Sequence, residues 1–268
     1  MIAFGTVVYT EALEYFDEFI DSVNSQSDNK FDLIIVNDNI NENTLLKHLS
    51  NIKVNYKVLN YYGNKTPADL RVELLKFAKK TGYNLLIFGD SDDIFNENRV
   101  KEIKEIYLDN KDFTFFYNNL LLFDKSKALK EFPLVTDSIN DIIQYNYLGL
   151  SNTAINLSGI SIEFIDSLYG CTSFVFDWYL FSRIVCNCGK GKYVEKAITY
   201  YRIHENNFAG VSNRKQLDRE FEVKKTHYEL MSKYNKKYAI LLQKLLKINF
   251  DKIKVNEAVS YWWNNIKL

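Results

Sequence analysis

Tyr83-Asn84-Leu85-Leu86-Ile87-Phe88-Gly89-Asp90-Ser91-Asp92-Asp93 is the stretch whose reading decides the fold. Its first six residues are mostly bulky and apolar without alternation, the pattern of a strand buried on both faces of a parallel sheet. The strand stops at a glycine followed by three carboxylates in four residues. Like charges so close repel, and a divalent cation would relieve the repulsion. Hard oxygen ligands suit Mg2+ or Mn2+, which take one or two carboxylates plus substrate phosphates. The alternative is a solvated acidic turn capping the next helix, with Asp93 or Asn96 near its N-terminus. Position favours function, because ligands of open α/β sheets bind beyond the carboxyl ends of the strands.

The flanking sequence repeats this grammar. Residues 2–9 (IAFGTVVY) read as a buried strand. Leu13, Phe16, Phe19, Ile20 and Val23 then recur at helical spacing. Phe31–Val36 is a second apolar run ending in the turn signal Asn37-Asp38-Asn39, and Lys53–Val58 is a weaker third strand. Thr66-Pro67 opens a helix as N-cap and first helical residue, and Gly82 stops it. A helix over 97–108 and a strand over 113–117 complete the alternation. The pattern predicts an α/β fold with a mostly parallel sheet flanked by helices. Tyr9-Thr10, Asp38 and Asp90–Asp93 all fall at strand ends, where one crevice can collect them. Beyond residue 137 the pattern loosens. A helix is expected at 137–145, a loop at 147–160, a helix at 175–187, a short strand pair near 193–204, and basic helices over 213–248.

Two other motifs fail. A haloacid-dehalogenase phosphatase needs its Asp-X-Asp on the first strand, followed by glycine and a hydroxyl residue, whereas Asp93-Ile94-Phe95 follows here. A calcium loop needs glycine sixth and glutamate twelfth, whereas Phe95 and Lys101 stand there.

The 268 residues carry 34 Lys and Arg against 34 Asp and Glu. Neutrality removes the simplest case for nucleic-acid binding. The zero hides an asymmetry: residues 1–150 hold 16 basic and 23 acidic side chains, and the positive excess lies after residue 200. Cys171, Cys186 and Cys188 are too few for a disulfide framework and lack zinc-ligand spacing, which favours a reducing compartment. With no signal-peptide pattern and no apolar run of membrane-spanning length, a cytoplasmic protein is expected. Lys236, Lys237, Lys244, Lys247, Lys252 and Lys254 accompany Leu and Ile at near-helical spacing. They read either as the outer face of a packed helix pair or as a peripheral contact to the inner face of a membrane.

Several segments, in order, resemble the family 2 glycosyltransferases, nucleotide-sugar-dependent inverting enzymes with the GT-A fold. They are Val7-Val8-Tyr9-Thr10, the strand ending Val36-Asn37-Asp38-Asn39, Ala68-Asp69-Leu70-Arg71, Leu86–Asp93, Phe176-Asp177-Trp178 and Tyr200-Tyr201-Arg202-Ile203-His204. The resemblance covers roughly residues 1–210. It implies a catalytic domain over 1–210, with a nucleotide-sugar half (1–118) and an acceptor half (119–210), followed by a helical extension (211–268). It implies that Tyr9 and Thr10 line the nucleoside pocket and that Asp38 accepts from the base. Arg71 approaches the diphosphate or holds Asp90, Asp90 sits near the ribose, and Asp92 ligates the metal. Asp177 is the catalytic base, and His204 a late contact to the diphosphate or metal. Asn37 replaces an Asp of the family pattern, and Phe176 a Glu. The Gln-X-X-Arg-Trp motif of processive synthases is absent.

The implied chemistry is transfer to a glycan or lipid-linked acceptor in bacterial surface-polysaccharide or glycoconjugate assembly. Such a reaction needs a carboxylate set for the cation and a separate base, and the aromatic neighbours of Asp177 would raise its pKa. A catalytically silent GT-A scaffold is the alternative, and a nucleotidyltransferase is disfavoured by the lack of a Gly- and Lys-rich loop. Taken singly, Asp177 is also a plausible helix N-terminal residue, and Arg71 a partner for Glu73 or Asp69. Trp178, Tyr179, Trp262 and Trp263 read as core, although aromatics also stack on sugar rings.

Overall fold

In chain order the strands and helices are β1 (Ile2–Val8), α1 (Leu13–Asn24), β2 (Asp32–Asp38), α2 (Glu42–Leu49), β3 (Asn55–Tyr61), α3 (Pro67–Thr81), β4 (Leu85–Phe88), β5 (Ile94–Phe95) and α4 (Arg99–Asp109). There follow β6 (Phe115–Leu122), β7 (Val135–Thr136), β8 (Thr153–Asn156), α5 (Ile162–Asp166), α6 (Phe176–Cys186), β9 (Gly191–Tyr201), α7 (Arg214–Met231) and α8 (Lys236–Leu245). The computed structural model describes residues 1–203, 214–249, 253 and 261–268.

The strands form one mixed sheet in the order β3-β2-β1-β4-β8-β6-β9-β5, with β7 beside β9. β3, β2, β1 and β4 run parallel, as the apolar runs predict. Their alternate residues feed two cores. Ile34, Val36, Leu86 and Phe88 face α3 and α6, while Leu33, Ile35, Leu85 and Ile87 face α1 and α4. Because both faces are covered there, β4 and the middle of β2 carry apolar side chains at consecutive positions, whereas edge strand β3 is largely exposed and keeps Asn55, Lys57 and Asn60. Phe16, Phe19, Ile20 and Val23 hold α1 against the sheet. Each such burial is worth about 1.5–3 kcal/mol, more than helix propensity supplies.

The second half departs from the pattern read in the sequence. The loop expected at 147–160 contains β8, which lies antiparallel between β4 and β6 in the middle of the sheet. The helix expected at 137–145 is a single 3-10 turn, Ile139–Asp141. Ser138 caps it, and Asp141 closes the box by accepting the Ser138 N–H at 3.0 Å, but Ile142 at the other end has φ −132°, outside the helical region, and the turn ends there. The expected strand pair near 193–204 is one strand, β9, parallel to β6 with a bulge between Asn118 and Asn119. Short α2, capped by the Asn41 side chain, was not anticipated.

The apolar faces of α7 and α8 pack into the core beneath the sheet. Val223, Tyr228, Met231, Tyr238, Leu241 and Leu245 join Trp178 and Phe181 of α6 there. Lys236, Lys237, Lys244 and Lys247 are exposed, and Lys252 and Lys254 lie outside the described residues. Among the described residues no helix is long and apolar enough to cross a membrane.

Candidate active site

The acidic turn after β4 is held by its neighbours. Gly89 lets the chain leave the strand between two rings: a Cβ there would stand 2.5 Å from Phe95 and 2.7 Å from Phe4. Asp93 N–H closes the turn on the Asp90 carbonyl at 3.2 Å. The Ser91 hydroxyl donates to the Val7 carbonyl at 2.9 Å, and Asp90 N–H donates to the Ser151 hydroxyl at 3.2 Å. The three carboxylates then part. Asp90 and Asp92 line the cleft. Asp93 turns inward and is buried, with Oδ1 accepting the Arg202 N–H at 2.9 Å. The Arg202 guanidinium donates to the Asp92 carbonyl at 2.9 Å and pairs with Glu18 at 2.9 Å. The end of β9 thereby clamps the turn.

A buried arginine from α4 also offsets the negative charge. Arg99 is fully buried and donates to Asn118 Oδ1 (3.1 Å) and to the Phe88 and Ser151 carbonyls (both 2.8 Å). Burial lowers its pKa, while Asp93 and Asp90 pull it back up. On the cleft side the cation is Arg71 from α3. Glu73 is taken by Lys65 at 2.6 Å, and Asp69 accepts from Thr66 and from the Gly170 N–H. The local ion pairs that the sequence offered Arg71 are therefore engaged elsewhere. Even so, the Asp90 carboxyl is raised to about 6, by burial first, with Asp92 raising it and Arg71 and Arg99 opposing. Asp93 is raised well above the carboxylate range, by burial and then by Asp92 and Asp90.

Asp177 is the second residue of α6, where the positive end of the helix favours a carboxylate. Its Oδ1 accepts the Trp178 N–H at 2.6 Å and the Asn146 side-chain amide at 3.3 Å. Burial nevertheless wins. The carboxyl is raised to about 7, with Arg71 and the Trp178 and Leu150 N–H groups pulling it down and Asp90 pushing it up. Asn146 is itself fully buried and exchanges both backbone hydrogen bonds with Trp262, at 3.0 and 2.9 Å. The 261–268 segment that carries Trp262 is pinned from below by α7. The Glu220 carboxylate accepts from Ile266 N–H at 2.7 Å and from Asn265 N–H at 3.2 Å, and Lys224 donates to the Ile266 carbonyl. Glu220 and Lys224 are fully buried, 3.3 Å apart.

Of these groups, Arg71, Asp90, Asp92, Asn146 and Asp177 share one cleft of about 480 Å³. It is lined by Tyr9, Asp38, Arg71, Asp90, Asp92 and Asp177 of the residues singled out in the sequence. Asp38 stands at the end of β2, where Asn39 donates to it at 2.8 Å. Thr10 opens an exposed 3-10 turn and is not part of the lining, whereas the next residue, Glu11, is. His204 lies outside the described residues. Trp178 and Tyr179 are core, as read, but Trp262 and Trp263 line the cleft. Asn146, Arg99 and Glu220 were missed by sequence reasoning, and Trp262 was read as core. Each acts through a partner far away in the chain, and no local pattern marks that.

Among the described residues no group of three or more His, Cys, Asp or Glu side chains is arranged to hold a metal ion. Asp90 and Asp92 do bring two hard-oxygen donors to one cleft wall. That is the protein's share when substrate phosphates and water complete a Mg2+ or Mn2+ shell, so the donor set fits such an ion.

Residues 4–126 match the family model Glycosyl transferase family 2. No curated protein matches the chain. Among solved structures it resembles S. aureus TarS 1–349 in complex with UDP-GlcNAc, with a TM-score of 0.64, 16% identity, and coverage of 91% of this chain and 71% of that one. A second structure of TarS 1–349 gives 0.60 at 13% identity over 97% and 98% of the two chains. The mannosyltransferase PcManGT from Pyrobaculum calidifontis, in complex with GDP-Man and Mn2+, gives 0.58 at 9% identity over 91% and 68%. At such identities the structures establish the fold alone. Residues 4–126 match the family 2 glycosyltransferase model, and the chain shares the GT-A fold of these glycosyltransferase structures.

Proposed function

We propose that the cleft transfers a sugar, with inversion, from a nucleoside-diphosphate donor to an acceptor hydroxyl, with Asp177 as general base. The observation that carries this reading is the placement of Asp177. Its carboxyl shares a cleft with Asp38, Arg71, Asp90 and Asp92 and is tuned to about 7. A base working near neutral pH needs a pKa in that range. Tyr9 and Asp38 would hold the nucleoside, Asp90 the ribose, and Arg71 the diphosphate. The acceptor oxygen attacks the anomeric carbon and Asp177 takes its proton. The bond from that carbon to the diphosphate oxygen breaks, and the electron pair leaves with the nucleoside diphosphate. A Mg2+ or Mn2+ ion bound by Asp92, beside Asp90, would stabilise the charge gathering on the leaving group. His204 is kept as a proposed contact to the diphosphate or metal.

On this reading residues 1–118 are the donor half, 119–210 the acceptor half, and 211–268 a helical extension that braces the acceptor half. Surface-polysaccharide or glycoconjugate assembly on the cytoplasmic side rests on the family resemblance alone.

Thermal unfolding with UDP-, GDP-, dTDP- and CMP-linked sugars, with and without Mn2+, tests the donor assignment. One donor should raise the Tm in a Mn2+-dependent way. At a concentration of about a hundred times Kd the stabilisation is ~2.7 kcal/mol, or several degrees. Asp92→Ala should abolish the Mn2+-dependent part. No shift of the wild-type protein with any nucleotide sugar would replace this reading with that of a catalytically silent scaffold.

A further inference from the structure

Strand topology brings the acidic turn to the cleft. It does not fix the direction of the Asp92 carboxylate, which depends on the peptide groups on either side of that residue. On one side the Ser91 hydroxyl is tied to the Val7 carbonyl at 2.9 Å. On the other side the peptide between Asp92 and Asp93 is held at both ends. Its N–H donates to the Asp90 carbonyl at 3.2 Å, and its carbonyl accepts from Arg202 Nε at 2.9 Å. Arg202 also takes up the Asp93 carboxylate, donating its own backbone N–H to Oδ1 at 2.9 Å. One residue therefore grips the turn at two points.

Arg202 is itself fixed. Its guanidinium lies over the ring of Tyr15 of α1, 4.4 Å from the centroid, and over that of Phe123, just past β6, at 4.3 Å. Its Nη2 pairs with Glu18 of α1 at 2.9 Å, the arginine side chain being 17% exposed and the glutamate 53%. An ion pair with so exposed a partner is worth little alone. The two rings carry the placement, and they suit a planar guanidinium better than an ammonium. The described residues that line the cleft include Asp90 and Asp92 but not Arg202, Tyr15, Glu18 or Phe123. The grip comes from behind the turn.

We propose that Arg202 is a positioning residue for the cation: it sets the direction of the Asp92 carboxylate from behind and touches neither the nucleotide nor the ion. The proposal rests on the reading of Asp92 as the metal ligand. Mg2+ demands near-octahedral placement of its oxygens, so a carboxylate on a loose turn binds it poorly. Groups that hold a ligand from behind set metal affinity almost as much as the ligand itself. The other use for an arginine here is to meet the diphosphate directly. The geometry favours the first role, because Nε is spent on the Asp92 carbonyl and Nη2 on Glu18.

Calorimetry of UDP and of GDP binding, each with and without Mn2+, tests the assignment. The readout is the factor by which Mn2+ lowers the nucleotide Kd. In Arg202→Met that factor should fall about tenfold or more, while the Kd without Mn2+ stays within about twofold of wild type. Arg202→Lys, which keeps the charge and one donor, should lie between the two. Tyr15→Leu, which removes a ring from behind the guanidinium, should lower the factor by less than Arg202→Met does. Thermal unfolding checks that the variants fold, and Arg202→Lys and Tyr15→Leu carry the test if Arg202→Met does not. A weaker Kd without Mn2+ and an unchanged factor in Arg202→Met would make Arg202 a diphosphate ligand and overturn the proposal. Asp92→Ala separates it from the metal reading. If Asp92→Ala abolishes the factor while the Arg202 variants leave it intact, the metal reading stands and the positioning role fails. If Asp92→Ala leaves the factor intact, or wild type shows none with either nucleotide, the metal reading fails and the proposal with it.

Discussion

The two walls of the cleft are made in different ways. On the proposed donor side Tyr9, Asp38 and Asp90–Asp92 stand at the ends of parallel strands, so the βα topology collects them with little help from elsewhere. On the proposed acceptor side Asp177 is held by Asn146, Asn146 is paired with Trp262, and the Trp262 segment is pinned by Glu220 of α7. The first wall is a property of strand ends. The second is a relay of contacts between distant segments, each depending on the next. Damage to the donor wall should therefore stay local, whereas damage to the acceptor wall should travel.

The largest expected effect separates the walls at the proposed base. Asp177→Asn keeps the shape of α6 and removes the proposed proton acceptor. Transfer should fall by about 10²–10⁴ while the donor-induced rise in Tm persists. Retention of full transfer would mean that the acceptor wall holds no base. Next in size is the foot of the relay. Glu220→Ala takes from buried Lys224 the carboxylate that opposes the lowering of its pKa, so that Lys224 must lose its proton or stand unpaired, and it frees the 265–266 amides. The cost should be about 3–5 kcal/mol, on the order of ten degrees in Tm. Below the new Tm, donor binding should survive better than transfer, and equal loss of both would erase the contrast between the walls. The smallest effect lies in the middle of the relay. The Asn146 amide donates to Asp177 and so favours its ionised form, which is the active form of a base. Activity should rise with pH through about 7, where Asp177 ionises. Asn146→Ala should move that limb to higher pH and lower kcat about tenfold with donor KM unchanged, as a pH–rate profile would show. A purely structural role would lower activity without moving the limb.

The donor wall was legible because the signals were local. Apolar runs marked β1, β2 and β4, and the residues after them fell into one crevice. The acidic turn was also read, but its division of labour was not. Repulsion among three carboxylates suggested a cation, whereas Asp93 turns away to hold Arg202 and fully buried Arg99 already stands behind the turn. β8 went unseen because Thr-Ala-Ile-Asn is four residues long with polar ends, too short for periodicity to register. Its burial comes from insertion between β4 and β6, which only the assembled sheet provides.

The sequence by itself determined the α/β class, the parallel half of the sheet, the crevice at the strand ends and the choice of Asp92 and Asp177 as candidates. Apart from Asp177, which the family resemblance singled out, those outcomes follow from side-chain pattern and turn chemistry within short windows. Tertiary structure alone decided which carboxylates face the cleft and that Arg71 is turned to it instead of to its helix neighbours. It also decided that the 261–268 segment returns to form the wall beside Asp177. These depend on which distant groups meet when the core closes, and burial then sets the charge state of each group that remains.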